Sequence, residues 1–153
     1  IIGSIIDKKL KSNHYDFVIL RDVLHHLIGK NLKETRSNQK KALKEMVRIT
    51  KKGGYIIFEE EINNSLISTR ILFYLSKLAH TIHLSSLGLN IGKVIVSFMT
   101  REEIEGILET KSDQITVIKR KFVPWNFSFL WKSTMLMNNI QRSFYIIQKT
   151  SAT

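Results

Sequence analysis

The stretch that decides the fold is YDFVILRDVLHHL, residues 15–27. Its first part, Tyr15–Leu20, is a compact run of β-branched and aromatic residues that follows the polar residues 11–14. A short apolar run of this kind predicts a parallel strand that is buried on both faces. Arg21 and Asp22 come directly after it, so we expect charged side chains where this strand ends.

A helix and a second strand follow along the chain. Residues 38–49 place four apolar side chains on one face at helical spacing and lysines on the other, which predicts an amphipathic helix. The sequence KKGG, residues 51–54, predicts the end of that helix, with a glycine as its left-handed cap. YIIF, Tyr55–Phe58, predicts another buried strand. Strand, helix, glycine turn and strand form a βαβ unit, and such units connect into a parallel sheet, so the fold class is α/β.

The second half of the chain begins with an apolar region. Leu66–Leu84 is apolar over more than half of its circumference and predicts one long helix or two short ones, while residues 85–93 predict a loop. Thr100 and Glu103 have the spacing of a capping box, which predicts a helix that runs to about Glu109.

Two strand-like segments, Gln114–Val123 and Ser143–Lys149, lie near the C-terminus. The connection between them contains the one proline of the sequence, Pro124, and has no helical pattern. We therefore predict that the two strands form an antiparallel pair.

The composition is that of a soluble globular protein. The chain has 153 residues, of which 43% are hydrophobic and 24% charged, the size and balance of one domain. With 24 Lys and Arg against 13 Asp and Glu, the formal charge is +11, which favours anionic partners such as nucleic acid, acidic lipid or nucleotide. The absence of cysteine excludes a disulfide framework, thiolate catalysis and cysteine-ligated zinc.

Targeting features are absent from the sequence. No segment reaches the roughly 18 uninterrupted apolar residues of a membrane span, and no secretory signal is visible. A cytoplasmic protein with no transmembrane segment is therefore predicted. The chain begins at Ile1 rather than at methionine and enters an apolar run at once, which indicates a processed or truncated chain.

Three phrases occur in a fixed order: YDFVILRDVLHHL at 15–27, KALKEMVRITKKGGYIIFEE at 41–60 and FMTREEIEGILE at 98–109. Together they closely resemble the second half of a class I S-adenosylmethionine-dependent methyltransferase. The resemblance implies a Rossmann-like sheet, mostly parallel with a C-terminal antiparallel strand pair and incomplete on its N-terminal side. It also implies that residues 1–153 are the C-terminal portion of a single methyltransferase domain, with a helical, lid-like insertion at about 62–97.

The cofactor loop of that family is missing from the sequence. In the family a glycine-rich loop follows the first strand, and an acidic residue that holds the ribose hydroxyls ends the second; both would precede Ile1. Gly53–Gly54 and the pair Gly88 and Gly92 have the wrong spacing for such a loop. The chain would therefore supply one wall of the crevice in which these sheets bind their ligand. We expect it to bind S-adenosylmethionine weakly by itself.

The resemblance also directs particular residues toward the cofactor, S-adenosylmethionine. An acidic residue at the end of the family's third strand accepts from the adenine amino group, and its counterpart here is Ser4, which is followed by Ile5. A hydroxyl accepts without charge assistance. Asp7 is a nearby substitute for the acid, or Ser4 simply ends a strand. Leu20, Arg21 and Asp22 match positions that line the methionine moiety. Alternatively, Arg21 and Asp22 form a surface ion pair.

His25 and His26 are the sharpest chemical feature of the sequence. Neutral imidazole takes up a proton near neutral pH, so His25 is a candidate base toward the acceptor, and Asp22 is the other candidate. Some methyltransferases hold a divalent metal through acid-x-x-acid-His at this place, but paired histidines are widespread in metal-free members, and we predict no metal. Packing or helix initiation is the alternative role for the histidines.

Three acidic residues, Glu59–Glu61, follow the second strand at its carboxyl end. Ligands bind on this side of an α/β sheet, so one of the three is placed to reach substrate. Adjacent acids are nevertheless more typical of a solvated strand end, and that is the prediction here.

The sequence as a whole predicts an S-adenosylmethionine-dependent methyltransferase that transfers the sulfonium methyl to oxygen, nitrogen or carbon. The apolar insertion favours a small hydrophobic, amphipathic or lipid-like acceptor, or a dimer contact. The alternative is a non-catalytic methyltransferase-like fragment, or a basic module that binds a protein partner, RNA or an anionic membrane. The acceptor and the oligomeric state stay open.

Overall fold

The architecture comes from a computed structural model that describes residues 5–6, 10–83, 94–124 and 139–151. Within these residues four strands form one sheet in the order β1-β2-β4-β3, together with three α-helices and a short 3-10 turn. In chain order the elements are β1 (Tyr15–Arg21), the 3-10 turn (Leu24–His26), α1 (Leu32–Ile49), β2 (Thr50–Asn63), α2 (Leu66–Thr81), α3 (Arg101–Glu109), β3 (Ile115–Pro124) and β4 (Ile140–Lys149).

Strand pairing follows the predicted α/β class. β1 pairs parallel with β2, with Phe17 opposite Tyr55 and Leu20 opposite Phe58. β4 lies antiparallel between β2 and β3. The βαβ unit and the antiparallel pair at the C-terminal end are thus confirmed, and the carboxyl ends of β1 and β2 lie side by side.

The end of α1 differs from the prediction. The helix begins earlier, at Leu32, and ends at Ile49, where Thr50 is its cap and already pairs with Tyr15 of β1. The predicted glycine cap is wrong, because the chain enters β2 directly. Gly53, with φ of 81°, instead lies in the irregularity of β2 that interrupts the register with β1, a backbone conformation that suits glycine.

The burial of β1 also differs from the prediction of a strand apolar on both buried faces. Val18 and Leu20 are buried, but Phe17 is 66% and Ile19 68% exposed. Successive side chains point to opposite faces of a strand, so one face of β1 packs in the core and the other lies at the surface of the described structure. On that surface Phe17 stacks on Tyr55, with 6.0 Å between ring centroids.

One main core cluster holds the sheet, α1 and α3 together. The predicted apolar face of α1 is buried in this cluster. It packs with side chains from β1, β2 and β4 and with Ile104 and Leu108 of α3. The capping box of Thr100 and Glu103 is confirmed in both directions, and Met99 lies in the same cluster as Ile104.

α2 is a single helix as far as Thr81, and the predicted loop at 85–93 lies outside the described residues. Its buried side belongs to a smaller cluster with Phe98 and Ile140, on which Val96 packs. Among the helices that the structure describes, none has the length and apolar character needed to cross a bilayer.

Candidate functional site

The candidate site lies where β1 and β2 end, at the edge where α/β sheets bind their ligands. Asp22, directly after β1, continues the pairing by donating its backbone N–H to the carbonyl of Glu59 over 3.0 Å. Its φ of 51° is left-handed, a conformation that aspartate tolerates better than most residues. This turn directs the chain away from the sheet and into the 3-10 turn Leu24–His26.

Glu60 of β2 organises that turn. Its carboxylate is 1% exposed and accepts backbone N–H groups from Val23 over 3.0 Å and from Leu24 over 2.6 Å. The other carboxylate oxygen contacts Nδ1 of His25 and accepts the N–H of Glu61 over 3.0 Å. A buried charge is costly unless such partners surround it, and here they fix the turn in place.

The prediction of a solvated strand end is therefore wrong for Glu60. β2 is longer than predicted, and its alternation continues through the acids, so Phe58, Glu60 and Ile62 all lie on the buried face. The burial of Glu60 could have been predicted from the sequence, because every second residue from Ile56 to Ile62 is apolar except Glu60. When a single acidic residue interrupts the buried, apolar side of a strand, its carboxylate is expected to have hydrogen-bond or charged partners.

His25 is the side chain that Glu60 orients. It is 8% exposed, and its ring packs against Phe98 at 5.6 Å between centroids. Burial alone would lower the pKa of His25, but the hydrogen bond and charge of Glu60, with smaller contributions from Glu61 and Asp22, outweigh burial and raise it. The imidazole is therefore a stronger base than an ordinary histidine.

His26 lies in a different environment from its neighbour. It is exposed, with its ring centroid 4.0 Å from that of His25. Partial burial, followed by the charge of His25, lowers the pKa of His26. Contact with Glu60 thus distinguishes His25 from the histidine that follows it.

A second layer of polar contacts holds the turn from the side of α1. The buried amide of Gln39 donates to the carbonyls of Leu24 over 2.9 Å and Ser97 over 2.7 Å. Ser97 in turn donates its backbone N–H to the carbonyl of His25 over 3.0 Å. Arg36 joins α1 to Phe98, whose carbonyl accepts from it over 2.8 Å. The backbone of the turn is therefore fixed on both sides.

Arg142 of β4 completes the charged rim of the site. Its guanidinium lies 3.0 Å from Glu59, 3.4 Å from Glu61 and 3.6 Å from Asp22. Burial raises the pKa of Glu61, against the opposing effects of His25 and Arg142. Sequence reasoning missed Arg142, because only the pairing of β4 with β2 brings it to this edge.

The predicted site residues separate into two groups. Arg21, Asp22 and His25 come together at the rim, where Arg21 Nε lies 3.6 Å from Asp22 and 3.3 Å from Glu59, so the predicted ion pair is present. Leu20 has its side chain in the core, leaving its backbone for the site.

Toward the N-terminus, Ile5 is half-buried and packs on the main core, while Ser4 lies outside the described residues. The residues at the place where some methyltransferases hold a metal are Asp22, His25 and His26. The described part of the chain contains no cluster of three or more His, Asp or Glu side chains arranged to hold a metal ion.

Comparison with known proteins agrees with this geometry. Residues 1–58 match the family described as a methyltransferase domain. The chain has the fold of a class I S-adenosylmethionine-dependent methyltransferase. The resemblance and the α/β fold predicted from the sequence are thus confirmed. No curated protein matches the chain.

Solved structures share this methyltransferase fold at low sequence identity. A loganic acid methyltransferase with SAH is 12% identical, with a TM-score of 0.63 over 97% of this chain and 65% of that one. A methyltransferase from Methanosarcina mazei is 13% identical, with a TM-score of 0.59 over 99% of this chain and 66% of that one. The 4+2 cyclase SpnF is 8% identical, with a TM-score of 0.58 over 99% of this chain and 55% of that one. The chain thus spans slightly less than two thirds of the two methyltransferases.

Proposed function

We propose that this chain takes part in methyl transfer from S-adenosylmethionine to a small acceptor, with His25 as the base that removes the acceptor proton. The observation that carries the proposal is the Glu60–His25 pair, buried at the carboxyl ends of two parallel strands in a methyltransferase fold. The match of residues 1–58 to the methyltransferase domain family supports S-adenosylmethionine as the donor.

The rim residues fit the methionine part of that donor. Asp22 Oδ1 is buried and has no hydrogen-bond partner in the described part of the chain, while Arg142 lies 3.6 Å away. An unsatisfied buried carboxylate oxygen suits an ammonium group, such as the α-amino group of the methionine moiety. The sulfonium of the bound donor supplies an electrophilic methyl group. Asp22 and the backbone of Leu20 and Arg21 would hold the donor beside His25.

His25 would act through the ring nitrogen that Glu60 leaves to a substrate. Contact with Glu60 fixes Nδ1 as the protonated nitrogen, which leaves the Nε2 lone pair to accept a proton. The carboxylate then stabilises the imidazolium that forms, because the opposite charge is already in place. Arg142, Asp22 and the flanking acids would orient donor and acceptor for in-line transfer.

The acceptor is proposed to be a small, apolar or amphipathic molecule. One structurally similar protein is a loganic acid methyltransferase, whose name gives a small molecule as its acceptor. In this chain Phe98 contacts the ring of His25 and packs in one cluster with Leu72 of α2. The predicted insertion at 62–97 is therefore proposed as the lid over the acceptor.

The test compares the two adjacent histidines in the full-length protein. S-adenosylhomocysteine release is measured over a panel of carboxylic acids, phenols and amines of increasing apolar size. His25→Asn, which keeps a donor toward Glu60 but no base, is expected to lower kcat by on the order of 100-fold or more. His26→Asn is the matched control and is expected to leave kcat nearly unchanged. Equal turnover in both variants would remove His25 from the mechanism.

The pH profile provides a second measurement of the same role. Only neutral His25 accepts a proton, so kcat/KM should rise with pH through a midpoint above the ordinary histidine value of 6.5. Glu60→Gln should move that midpoint down, because the amide no longer stabilises the imidazolium. A midpoint that is unmoved by Glu60→Gln would assign the titration to another group.

Calorimetry distinguishes the enzyme from the alternative of a non-catalytic binding module. The full-length protein is expected to bind S-adenosylhomocysteine, and Asp22→Asn to weaken that binding by roughly tenfold. Asp16→Asn, which changes an exposed acid at the other end of β1, is the control. No binding to the full-length protein would favour the module.

A further inference from the structure

α2 has an exposed apolar stripe in addition to its buried side. Its members recur every three or four residues, which places them on one side of the helix. They are 37% to 73% exposed: Ile67, Ile71, Tyr74 and Leu78 in the helix and Ile82 directly after it, with Leu75 beside them at 43%. An exposed apolar patch of this kind marks an interaction site more often than a neutral surface.

The fold holds α2 in place by its other side. Leu72, Phe73 and Ala79 are buried, and Leu72 packs in the cluster with Phe98 and Ile140. Ser76 Oγ lies 3.3 Å from the backbone nitrogen of Val96, which donates to it. The exposed stripe is therefore not what attaches α2 to the sheet, and within the described residues its side chains stay exposed.

Positive charge borders the stripe. α2 contains Arg70 and Lys77 and no acidic residue. Arg70 and Tyr74 also line a cleft of about 590 Å³ between α2 and the start of α1, together with Lys33. In that cleft Arg36 is neutralised by Glu103 at 2.8 Å, whereas Arg70 and Lys33 make no ion pair with any described residue. An excess of cations thus adjoins the apolar side chains.

We infer that this stripe and its cationic border form a docking surface for an anionic lipid bilayer. Aliphatic side chains with Tyr74 would enter the boundary between headgroups and acyl chains, and the neighbouring cations would contact lipid phosphates. Charge complementarity favours this occupant over a second copy of the chain, since each copy carries a formal charge of +11. α2 would lie in the interface plane. The inference is independent of the role of His25.

The experiment is vesicle co-sedimentation of the full-length protein. One set of vesicles is phosphatidylcholine alone, and the other is phosphatidylcholine with phosphatidylglycerol in equal parts. We expect preference for the anionic vesicles. Arg70→Glu and the double variant Ile67→Ser with Leu78→Ser should each weaken binding by roughly tenfold. All these side chains are exposed, so the variants should fold, and their thermal unfolding verifies it.

Two exposed residues on β3 provide matched controls. Lys119→Glu repeats the charge reversal and Ile118→Ser repeats the loss of an apolar side chain, both away from α2. Vesicle binding that is reduced by the α2 variants and spared by the controls supports the inference. Binding reduced equally by all variants, or absent from both vesicle types, overturns it. It is also overturned if the α2 variants instead abolish self-association in sedimentation equilibrium or RNA binding in a filter assay.

Discussion

The two ends of β1 are built alike and behave differently. Each is bounded by a left-handed residue, Asn13 with φ of 50° before the strand and Asp22 with φ of 51° after it. Each adjoins a buried charged side chain from elsewhere in the sheet, Lys149 at the amino end and Glu60 at the carboxyl end. Both charges hold the start or end of a strand in place, and the one at the carboxyl end contacts a histidine, a side chain that titrates near neutral pH.

At the amino end the lysine donates to neutral groups. Lys149 Nζ lies 2.6 Å from Asn13 Oδ1 and 2.8 Å from the carbonyl of Val47. Burial, followed by repulsion from Lys111 and Arg48, lowers the pKa of Lys149. At the carboxyl end Glu60 faces His25, whose pKa is raised. The buried charge of Lys149 thus holds the chain in place at the amino end of β1, whereas the buried charge of Glu60 raises the pKa of His25 at the carboxyl end.

The largest effect on stability is expected from Glu60→Gln. The amide offers one acceptor oxygen in place of two and leaves the imidazolium without a counter-charge, so unfolding free energy at pH 6 should fall by about 3 kcal/mol. Urea unfolding measures this. Glu59→Gln, on the half-buried rim, should cost less than about 1 kcal/mol. Similar losses of unfolding free energy in both variants would contradict a larger contribution from the buried Glu60 than from the half-buried Glu59.

The pH dependence of stability should differ between the two ends. Because the folded pKa of His25 is raised, its pairing with Glu60 contributes fully below the ordinary value of 6.5 and is lost as pH rises through the folded value. Wild type should therefore lose stability across that window relative to Glu60→Gln. Parallel curves for the two proteins, measured by urea unfolding at several pH values, would contradict the raised pKa.

Lys149→Met is expected to cost about 1 kcal/mol. Two acceptors lose a buried donor, but a desolvated charge is removed as well, so the two terms partly cancel. The pKa of His25, followed by NMR of its ring protons, should be the same as in wild type. A shift of that pKa would mean that the two ends are coupled.

The smallest effect is expected at the surface of the amino end. Lys51 and Asp16 form an exposed ion pair at 3.2 Å. Lys51→Ala should change the unfolding free energy by less than about 0.5 kcal/mol, since solvent screens such pairs. Thermal unfolding at low and high salt checks this. A salt-dependent decrease in unfolding free energy above that value would show that the ion pair contributes to stability despite its exposure.

Local signals in the sequence predicted the elements whose contacts are local. The capping box of Thr100 and Glu103 needs only four consecutive residues, and the α1 stripe needs only helical periodicity, so both were predicted correctly. The order strand, helix and strand predicted the parallel pairing of β1 with β2. The predictions were wrong where pairing between strands decides the structure. The helix was predicted to end at a glycine cap, but Thr50 already pairs with Tyr15, and Gly53 lies within β2.

The candidate site was predictable only in part, for the same reason. Asp22 and His25 follow a strand end and were found from their position. Glu60 was assigned to solvent, because three adjacent acids suggest exposure until the length of β2 is known. Arg142 could not be found at all, since its approach to Glu59 depends on β4 returning beside β2. Roles for Ser4 and Ile5 toward the cofactor stay predictions.

Gln39 has a consequence for which substitutions this chain tolerates. Its amide nitrogen donates to two backbone carbonyls while its oxygen accepts from Arg36 over 2.9 Å. Glutamate has the same shape and differs in its gene by a single base, but it would aim an acceptor at both carbonyls. Natural variation at position 39 should therefore exclude glutamate, because Gln39 donates to the backbone that holds the turn of His25.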